Sequence, residues 1–207
     1  MVDFGILVYS IVKADYRRII IRGISMIYPL DIEFESNGMR QTITPVLLKD
    51  GNQTILVDCG YPNFIGLIRE AAERWGISLE MLTQIIVTHD DIDHIGSLAA
   101  LKRTYPHVNI ISHAIEAPYI SGFEKSLRLV QAEDMQAKLP ENEKARGEQF
   151  IRFLQTVEHV PVDQRCVTGK CCLGAAVSRS CTRRDIRRDI SRCISPAAKR
   201  SSQGMPL

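Results

Sequence analysis

The pattern of apolar and polar positions predicts short strands through the middle of the chain. Five runs combine alternating polarity with β-branched residues, and they lie at residues 31–35, 41–48, 54–57, 84–87 and 108–112. The sequence from Lys49 to Asn52, between the second and third runs, is typical of a hairpin turn. We therefore expect those two strands to pair directly.

Helical periodicity occupies the intervals between most of these strands. We expect Asn63 to cap the first helix and Gly76 to end it, with an apolar face made of Leu67, Ile68, Ala71, Ala72 and Trp75. A second helix is predicted over residues 95–104. Two more, over 123–139 and 141–157, are separated by Pro140, and an inward stripe on the last comprises Phe150, Ile151, Phe153 and Leu154. This alternation of strands and helices favours an α/β fold.

Composition divides the chain near Gln164. The net charge is only +2, but residues 1–164 hold 16 Lys and Arg against 22 Asp and Glu, whereas residues 165–207 hold 10 against 2. Five of the six cysteines also lie in the second part, and apolar periodicity ends after Val162. We expect one folded domain over residues 26–164, followed by a basic, cysteine-rich and disordered tail over 165–207.

The first 25 residues are predicted to be an upstream extension outside the fold. The apolar run from Phe4 to Val12 is too short to span a bilayer, and no small-residue cleavage site follows it. Met26 precedes the first segment with turn punctuation, so we interpret it as the natural start. These features predict a soluble cytoplasmic protein with reduced thiols.

The densest group of candidate ligands follows the strand at 84–87. His89, Asp91 and Asp93 alternate along what we expect to be an extended segment, and a bend after Asp93 would bring His94 to the same point. Carboxylates this close repel one another unless a cation lies between them. The pattern predicts a divalent metal site, better suited to two ions than to one. Imidazole suits zinc or iron, and the added carboxylate shifts the preference slightly toward iron or manganese. Such a site supports hydrolysis.

A structural interpretation of the same loop is that Asp90 or Asp91 caps the next helix and the histidines are incidental. We expect Asp90 to face away from the cluster. Asp58, after the strand at 54–57, either orients a ligand histidine or forms a turn before Gly60. The remaining histidines are predicted to have structural roles; they are His107, His113 and His159.

Two segments together resemble the metallo-β-lactamase-fold hydrolases, which include lactonases and glyoxalase II. Residues 88–98 read Thr-His-Asp-Asp-Ile-Asp-His-Ile-Gly-Ser-Leu, and residues 54–60 read Thr-Ile-Leu-Val-Asp-Cys-Gly. The family signature is His-x-His-x-Asp-His, so Asp91 stands where a histidine is expected. The resemblance covers residues 26–164 and implies an αββα sandwich, here incomplete at its C-terminal end.

The resemblance also implies ligand roles and a substrate class. His89 and Asp91 would hold one metal, Asp93 and His94 the other, and Asp93 would handle protons at a bridging hydroxide. The substrate would be a small ester, lactone or thioester. The family also has a His in a Thr-Pro-Gly-His turn, an Asp in a Gly-Asp segment and a C-terminal His, none of which this sequence contains.

The missing elements are compatible with another reading frame of the tail. Stepping back one base from Cys181 onward, the genetic code permits His-Thr-Pro-Gly-His-Thr-Pro-Gly-His, and each Asp-Ile junction then allows only His or Tyr. The same shift permits Ile-Ala-Gly-Asp-Ala-Leu near the end of the chain. We therefore predict a frameshift between Gln164 and Thr168 and a metal site impaired by loss of its later ligands.

Other interpretations of the tail lead to other functions. Its arginines could bind nucleic acid through phosphates, or its cysteines could form a zinc module, with the candidate ligands Cys166, Cys171, Cys172, Cys181 and His159. The sequence contains no Cys-x-x-Cys pair to support the zinc module. A last alternative is an inactive truncated product with no catalytic role.

Overall fold

A six-stranded sheet organises the part of the chain that the structure describes. The computed structural model describes residues 26–36 and 38–166; the predicted extension and the tail beyond Cys166, including the frameshifted segments, lie outside the described residues. The strands of this sheet are β1 (Met26–Pro29), β4 (Val46–Asp50), β5 (Gln53–Val57), β6 (Gln84–Val87), β7 (Asn109–His113) and β8 (Gln164–Cys166), in that spatial order. A separate hairpin pairs β2 (Ile32–Ser36) with β3 (Met39–Ile43).

Strand direction changes across the main sheet. β4 is antiparallel to β1 and β5, whereas β5 to β8 run parallel to one another. Helices connect the parallel strands, as such crossovers require. The helices are α1 (Ile65–Glu73), α2 (Ile92–Ile95), α3 (Leu98–Thr104), α4 (Ala117–Ile120), α5 (Leu127–Gln136) and α6 (Glu141–Leu154), with a 3-10 turn at Leu79–Met81.

The main core lies between one face of the sheet and the helices α1 and α3. Four fully buried side chains form a row across neighbouring strands: Leu47, Leu56, Ile85 and Ile110. Ile68 on α1 and Leu101 on α3 belong to the same cluster. Each such side chain contributes about 1.5–3 kcal/mol through burial. Packing in this core fixes the positions of the strand ends relative to one another.

The α/β class predicted from the sequence is confirmed, as is the strand Gln84–Val87. The single strand predicted over residues 41–48 is wrong, because the chain divides at Thr44 and Pro45 into β3 and β4. Proline lacks the amide hydrogen that a continuous ladder needs. The carbonyl of Pro45 instead accepts a hydrogen bond from the Leu30 amide at 2.8 Å.

Several helix details also differ from the prediction. Asn63 does not cap α1: it has a positive φ of 70°, and Phe64 occupies the cap position. The stripe on α6 is only partly inward, since Leu154 is buried while Phe150 and Phe153 are 41% and 42% exposed. β8 includes Arg165 and Cys166, where no strand was predicted. Within residues 26–36 and 38–166, no helix has the length and apolar character needed to cross a membrane.

Candidate metal centre

The candidate ligands lie where two parallel strands end side by side. Asp58 directly follows β5, and Thr88 and His89 directly follow its parallel neighbour β6. The carboxyl ends of parallel strands meet at one edge of a sheet, which is the usual position of ligand sites in α/β folds. Asp58 accepts hydrogen bonds there from the backbone N–H of Thr88 at 2.9 Å and from its hydroxyl at 2.9 and 3.0 Å.

The loop after β6 turns earlier than the sequence pattern predicted. Asp91 is extended, with φ −89° and ψ 149°, and α2 begins at Ile92. The expected extended segment through Asp93 and the bend after it are therefore wrong. Ile92 and Ile95 are both buried, so packing of these two side chains favours the helical turn. Asp91 occupies the cap position, although its side chain makes no capping hydrogen bond.

Backbone contacts fix this turn against the segment that follows β5. The carbonyl of His94 accepts a hydrogen bond from the Cys59 amide at 2.7 Å. The buried Ser97 hydroxyl donates to the Tyr61 carbonyl at 2.6 Å and accepts from the Phe64 amide at 2.8 Å. A Cβ at position 96 would overlap Pro62, which explains the glycine there. The two halves of the candidate site are thus held in a fixed relation.

His94 is the most firmly held candidate ligand. Its Nδ1 lies 2.9 Å from Asp58 Oδ2, and its Nε2 lies 3.5 Å from Asp93 Oδ2. Burial alone would lower the pKa of His94, but the hydrogen bond and charge of Asp58, together with the charge of Asp93, outweigh burial and raise that pKa. A proton on Nδ1 shared with Asp58 leaves Nε2 as the nitrogen that faces Asp93.

His89 and Asp91 form a second, more exposed pair. Nε2 of His89 lies 3.4 Å from Asp91 Oδ2, and the two side chains are 29% and 42% exposed. The hydrogen bond from His89 lowers the pKa of Asp91 despite partial burial, with further lowering by the charges of His89, Arg128 and His94. The rings of His89 and His94 lie 3.9 Å apart between centroids.

Thr88 connects the two pairs and was missed by the sequence analysis. Its hydroxyl donates to Asp58, so it can accept from Nδ1 of His89, which lies 3.0 Å away. This network places a proton on Nδ1 of both histidines, and each Nε2 faces a neighbouring carboxylate, to which it donates only when the ring is cationic. A threonine between a strand end and a histidine was the available signal, since a hydroxyl can donate to one neighbour while accepting from another.

The spacing within each histidine–aspartate pair suits two ligands of one divalent cation. Two ligands bound at about 2.1 Å to a tetrahedral ion lie roughly 3.4 Å apart, and the two histidine–aspartate separations are 3.4 and 3.5 Å. Nevertheless, within the described parts of the chain, no three His, Cys, Asp or Glu side chains are grouped so that they could hold an ion together. The described ligands therefore form two open pairs and no closed site.

Asp90 turns away from these pairs. It interacts with Ser126 at the start of α5, and burial raises its pKa to about 6 against the opposing effects of Ser126 and His159. The other histidines contact backbone groups: His107 lies 3.0 Å from the Leu82 carbonyl, His159 lies 3.3 Å from the Ile120 carbonyl, and His113 accepts from the Ile115 amide at 3.2 Å.

Comparison with known proteins identifies the family. The profile described as the metallo-beta-lactamase superfamily matches residues 41–164. The chain is similar to two curated proteins of Bacillus subtilis (strain 168). Probable metallo-hydrolase YflN is 37% identical over 71 residues, covering 34% of this chain and 26% of YflN. Uncharacterized protein YobT is 30% identical over 82 residues, covering 40% of this chain and 34% of YobT.

These alignments cover only parts of the relatives, about a quarter of one and a third of the other. The FEZ-1 metallo-beta-lactamase from Legionella gormanii has a similar fold, with a TM-score of 0.50 and 13% identity, over 72% of this chain and 46% of that enzyme. The profile covers more than half of the sequence and includes both Asp58 and the loop from His89 to His94. The chain belongs to the metallo-beta-lactamase superfamily.

Proposed function

We propose that this protein derives from a metal-dependent hydrolase that cleaves a small ester, lactone or thioester at the loop from His89 to His94. The observation that carries the proposal is the pair of adjacent histidine–aspartate contacts in the loop that follows β6. Membership in a superfamily of metal-dependent enzymes supports it, as does the similarity to a probable metallo-hydrolase.

Two sets of residues would hold the ions in this proposal. His89 and Asp91 would bind one, and His94 and Asp93 the other, with zinc preferred by the imidazole nitrogens and iron or manganese as alternatives. The ion would lower the pKa of a water molecule and polarise the scissile carbonyl.

The chain's own residues would orient the ligands and move the proton. Asp58 holds Nδ1 of His94 directly and, through the Thr88 hydroxyl, Nδ1 of His89. Such outer contacts fix ring orientation and raise ligand basicity. Asp93 is 37% exposed, so its carboxylate can accept a proton from the attacking water and pass it to the leaving group.

We further propose that the site is impaired because its remaining ligands are encoded in the other frame of the tail. The open arrangement of the described ligands supports weak binding, since each missing ligand removes bond energy and geometric closure. The nucleotide sequence across codons 160–207 tests the cause: one extra or missing base is expected there. Independent reads that confirm the present frame would overturn this part of the proposal.

The hydrolytic assignment is tested by metal-dependent turnover. The purified chain is assayed with 4-nitrophenyl acetate, a thioester and a γ-lactone, after chelation and after addition of zinc or manganese. We expect slow hydrolysis that appears only with metal and disappears in His94→Ala. His107→Ala is the matched control, because His107 contacts the Leu82 carbonyl ahead of β6, at the opposite end of that strand from the ligand loop. Turnover that survives chelation, or that both variants lose equally, contradicts the assignment.

A further inference from the structure

Four aromatic rings form a continuous surface beside the candidate metal centre. We call Phe34, Tyr61, Phe64 and Phe153 the aromatic surface. Tyr61 is central to it: the Tyr61 ring centroid lies 5.4 Å from that of Phe34, 5.5 Å from Phe64 and 6.2 Å from Phe153. Phe34 and Phe64 are 4.9 Å apart. The rings come from β2, the segment after β5, the start of α1, and α6.

The surface remains open to solvent. Phe34, Tyr61 and Phe64 are half-buried, and Phe153 is 42% exposed although its neighbour Leu154 is buried. Leaving much of an aromatic side chain in water forfeits a large share of the roughly 1.5–3 kcal/mol that its burial would provide. A ligand that covers the ring would recover this free energy.

The surface begins at the metal loop. The charges of Asp93 and Asp91 both add to the effect of burial in raising the pKa of Tyr61, so its phenol lies within their field. The side chain of Tyr61 also packs against the cluster that contains Ile92, the residue between Asp91 and Asp93. Its backbone carbonyl accepts a hydrogen bond from the Ser97 hydroxyl, which ties the Tyr61 backbone to the segment that follows His94. A molecule cleaved at the loop can therefore extend onto the rings.

We propose that the aromatic surface binds an apolar alkyl or aryl group of the substrate while its ester, lactone or thioester group lies at the metal loop. This inference rests on the proposed function for the identity of the cleaved bond. It adds that the preferred substrate carries an apolar group of several carbons, with Tyr61 and Phe153 as its binding residues. Continuity with the catalytic loop identifies a substrate group as the occupant.

A matched pair of phenylalanines on α6 provides the control. Phe150 and Phe153 are 41% and 42% exposed and lie one turn apart. Phe153 contacts Tyr61, whereas Phe150 lies under the guanidinium of Arg128, 5.9 Å from its ring centroid. The two side chains are exposed to a similar extent, but only the removal of Phe153 alters the aromatic surface.

The test measures binding of uncleaved ester analogues by isothermal titration calorimetry. N-ethylacetamide and N-octylacetamide are titrated into the full chain, both metal-free and zinc-loaded. We expect the octyl amide to bind about two- to four-fold tighter for each added methylene. Phe153→Ala and Tyr61→Ala should weaken octyl-amide binding about three- to ten-fold, and Phe150→Ala should leave it unchanged. Tyr61→Phe, which keeps the ring, should retain the chain-length dependence.

The outcomes separate this inference from the proposed function. Equal affinity for the two amides overturns the inference, and so does an equal loss in Phe150→Ala and Phe153→Ala. Thermal melts of each variant show whether the fold is intact; if Tyr61→Ala unfolds, Tyr61→Phe and Phe153→Ala still decide. Chain-length-dependent binding without metal-dependent hydrolysis would support the aromatic surface and refute the proposed function. Metal-dependent hydrolysis without chain-length-dependent binding would support the proposed function and refute the role of the aromatic surface.

Discussion

The two histidines of the candidate metal centre are held very differently. The inner pair, His94 and Asp58, is 19% and 13% exposed, with 2.9 Å between Nδ1 and Oδ2. The outer pair, His89 and Asp91, is 29% and 42% exposed, with 3.4 Å between Nε2 and Oδ2. The fold therefore holds the inner histidine more firmly than the outer one, which is more exposed and makes a longer contact with its carboxylate.

The difference originates in the strand ends. Asp58 adopts a positive φ of 61°, and its amide donates to the Ile86 carbonyl of the neighbouring strand at 2.9 Å. A non-glycine residue in this region costs of order 1–3 kcal/mol, and such strain persists where surrounding contacts impose it. The hydrogen bonds from Thr88 supply those contacts and aim the carboxylate at His94.

The largest contrast is expected between His94→Ala and His89→Ala. Both variants should lose zinc affinity by more than about 100-fold, since each removes a ligand whose outer contacts alone account for 10–100-fold. Only His94→Ala should also destabilise the metal-free protein, by about 1–3 kcal/mol, because it leaves the buried Asp58 without its imidazole partner. Urea unfolding measures this difference; equal destabilisation would show that the inner pair is no better integrated than the outer pair.

Replacing Asp58 should weaken zinc binding without removing a ligand. We expect Asp58→Asn to lower affinity about 10–100-fold, because an amide cannot supply the negative charge that orients His94. Asp90→Asn is the matched control, since Asp90 faces Ser126, and its zinc affinity should change less than two-fold. Competition with a fluorescent chelator measures both. A comparable loss in Asp90→Asn would contradict the role assigned to Asp58.

Replacing Asp91 by histidine should reduce the difference between the outer and inner pairs, because it should raise zinc affinity at the outer pair. Asp91→His supplies the imidazole found at this position in the family signature, and imidazole suits zinc better than manganese. We expect zinc affinity to rise by about ten-fold, because position 91 is a proposed ligand and zinc prefers imidazole nitrogen there to a carboxylate oxygen. The zinc-to-manganese preference should rise in parallel. An unchanged preference in the same chelator competition would mean that Asp91 does not contact the ion.

Removing the Thr88 hydroxyl should weaken zinc binding at the outer pair. Thr88→Val preserves shape but removes the group that can accept from His89 Nδ1, so zinc affinity should fall about ten-fold. Thr88→Ser, which keeps the hydroxyl, should bind zinc as tightly as the original chain. If both variants bind zinc like the original chain, His89 is oriented by other contacts.

The smallest effect is the pH dependence of the metal-free protein. The folded-state pKa of His94 is raised, so its contribution to stability is complete below its ordinary pKa of about 6.5 and is lost as the pH rises through the folded-state value. Zinc affinity should increase over the same interval, because the ion competes with the proton. Asp58→Asn should flatten the stability change in urea titrations; the same slope in that variant would assign it to another group.

Sequence reasoning succeeded where local pattern and chemistry agreed. The strand Gln84–Val87 was predictable because apolar, β-branched residues end directly at the polar loop. The candidate ligands were visible because few other roles explain two histidines and three aspartates so close together. Pro45 should have divided the strand predicted over residues 41–48, since its missing amide hydrogen was readable from the sequence.

The remaining errors depended on tertiary contacts. The early turn at Ile92 follows from burial of Ile92 and Ile95. The alternation of polar residues in this segment gave no sign of that burial. The exposure of Phe153 could not be inferred from an apolar stripe, because the side chains that pack against α6, such as Tyr61, come from distant parts of the sequence. The hydrogen bonds of Thr88 likewise depend on the register of β5 against β6.

The central claim is that each histidine–aspartate pair binds an ion, with His94 as the more firmly held ligand. Anomalous diffraction at the zinc edge, from crystals soaked in millimolar zinc, tests it most directly. The account predicts a peak about 2.0–2.1 Å from Nε2 of His94, with Asp93 as a further ligand, and a weaker peak at His89 and Asp91. Strong zinc peaks elsewhere on the protein, with none at His94, would contradict the account.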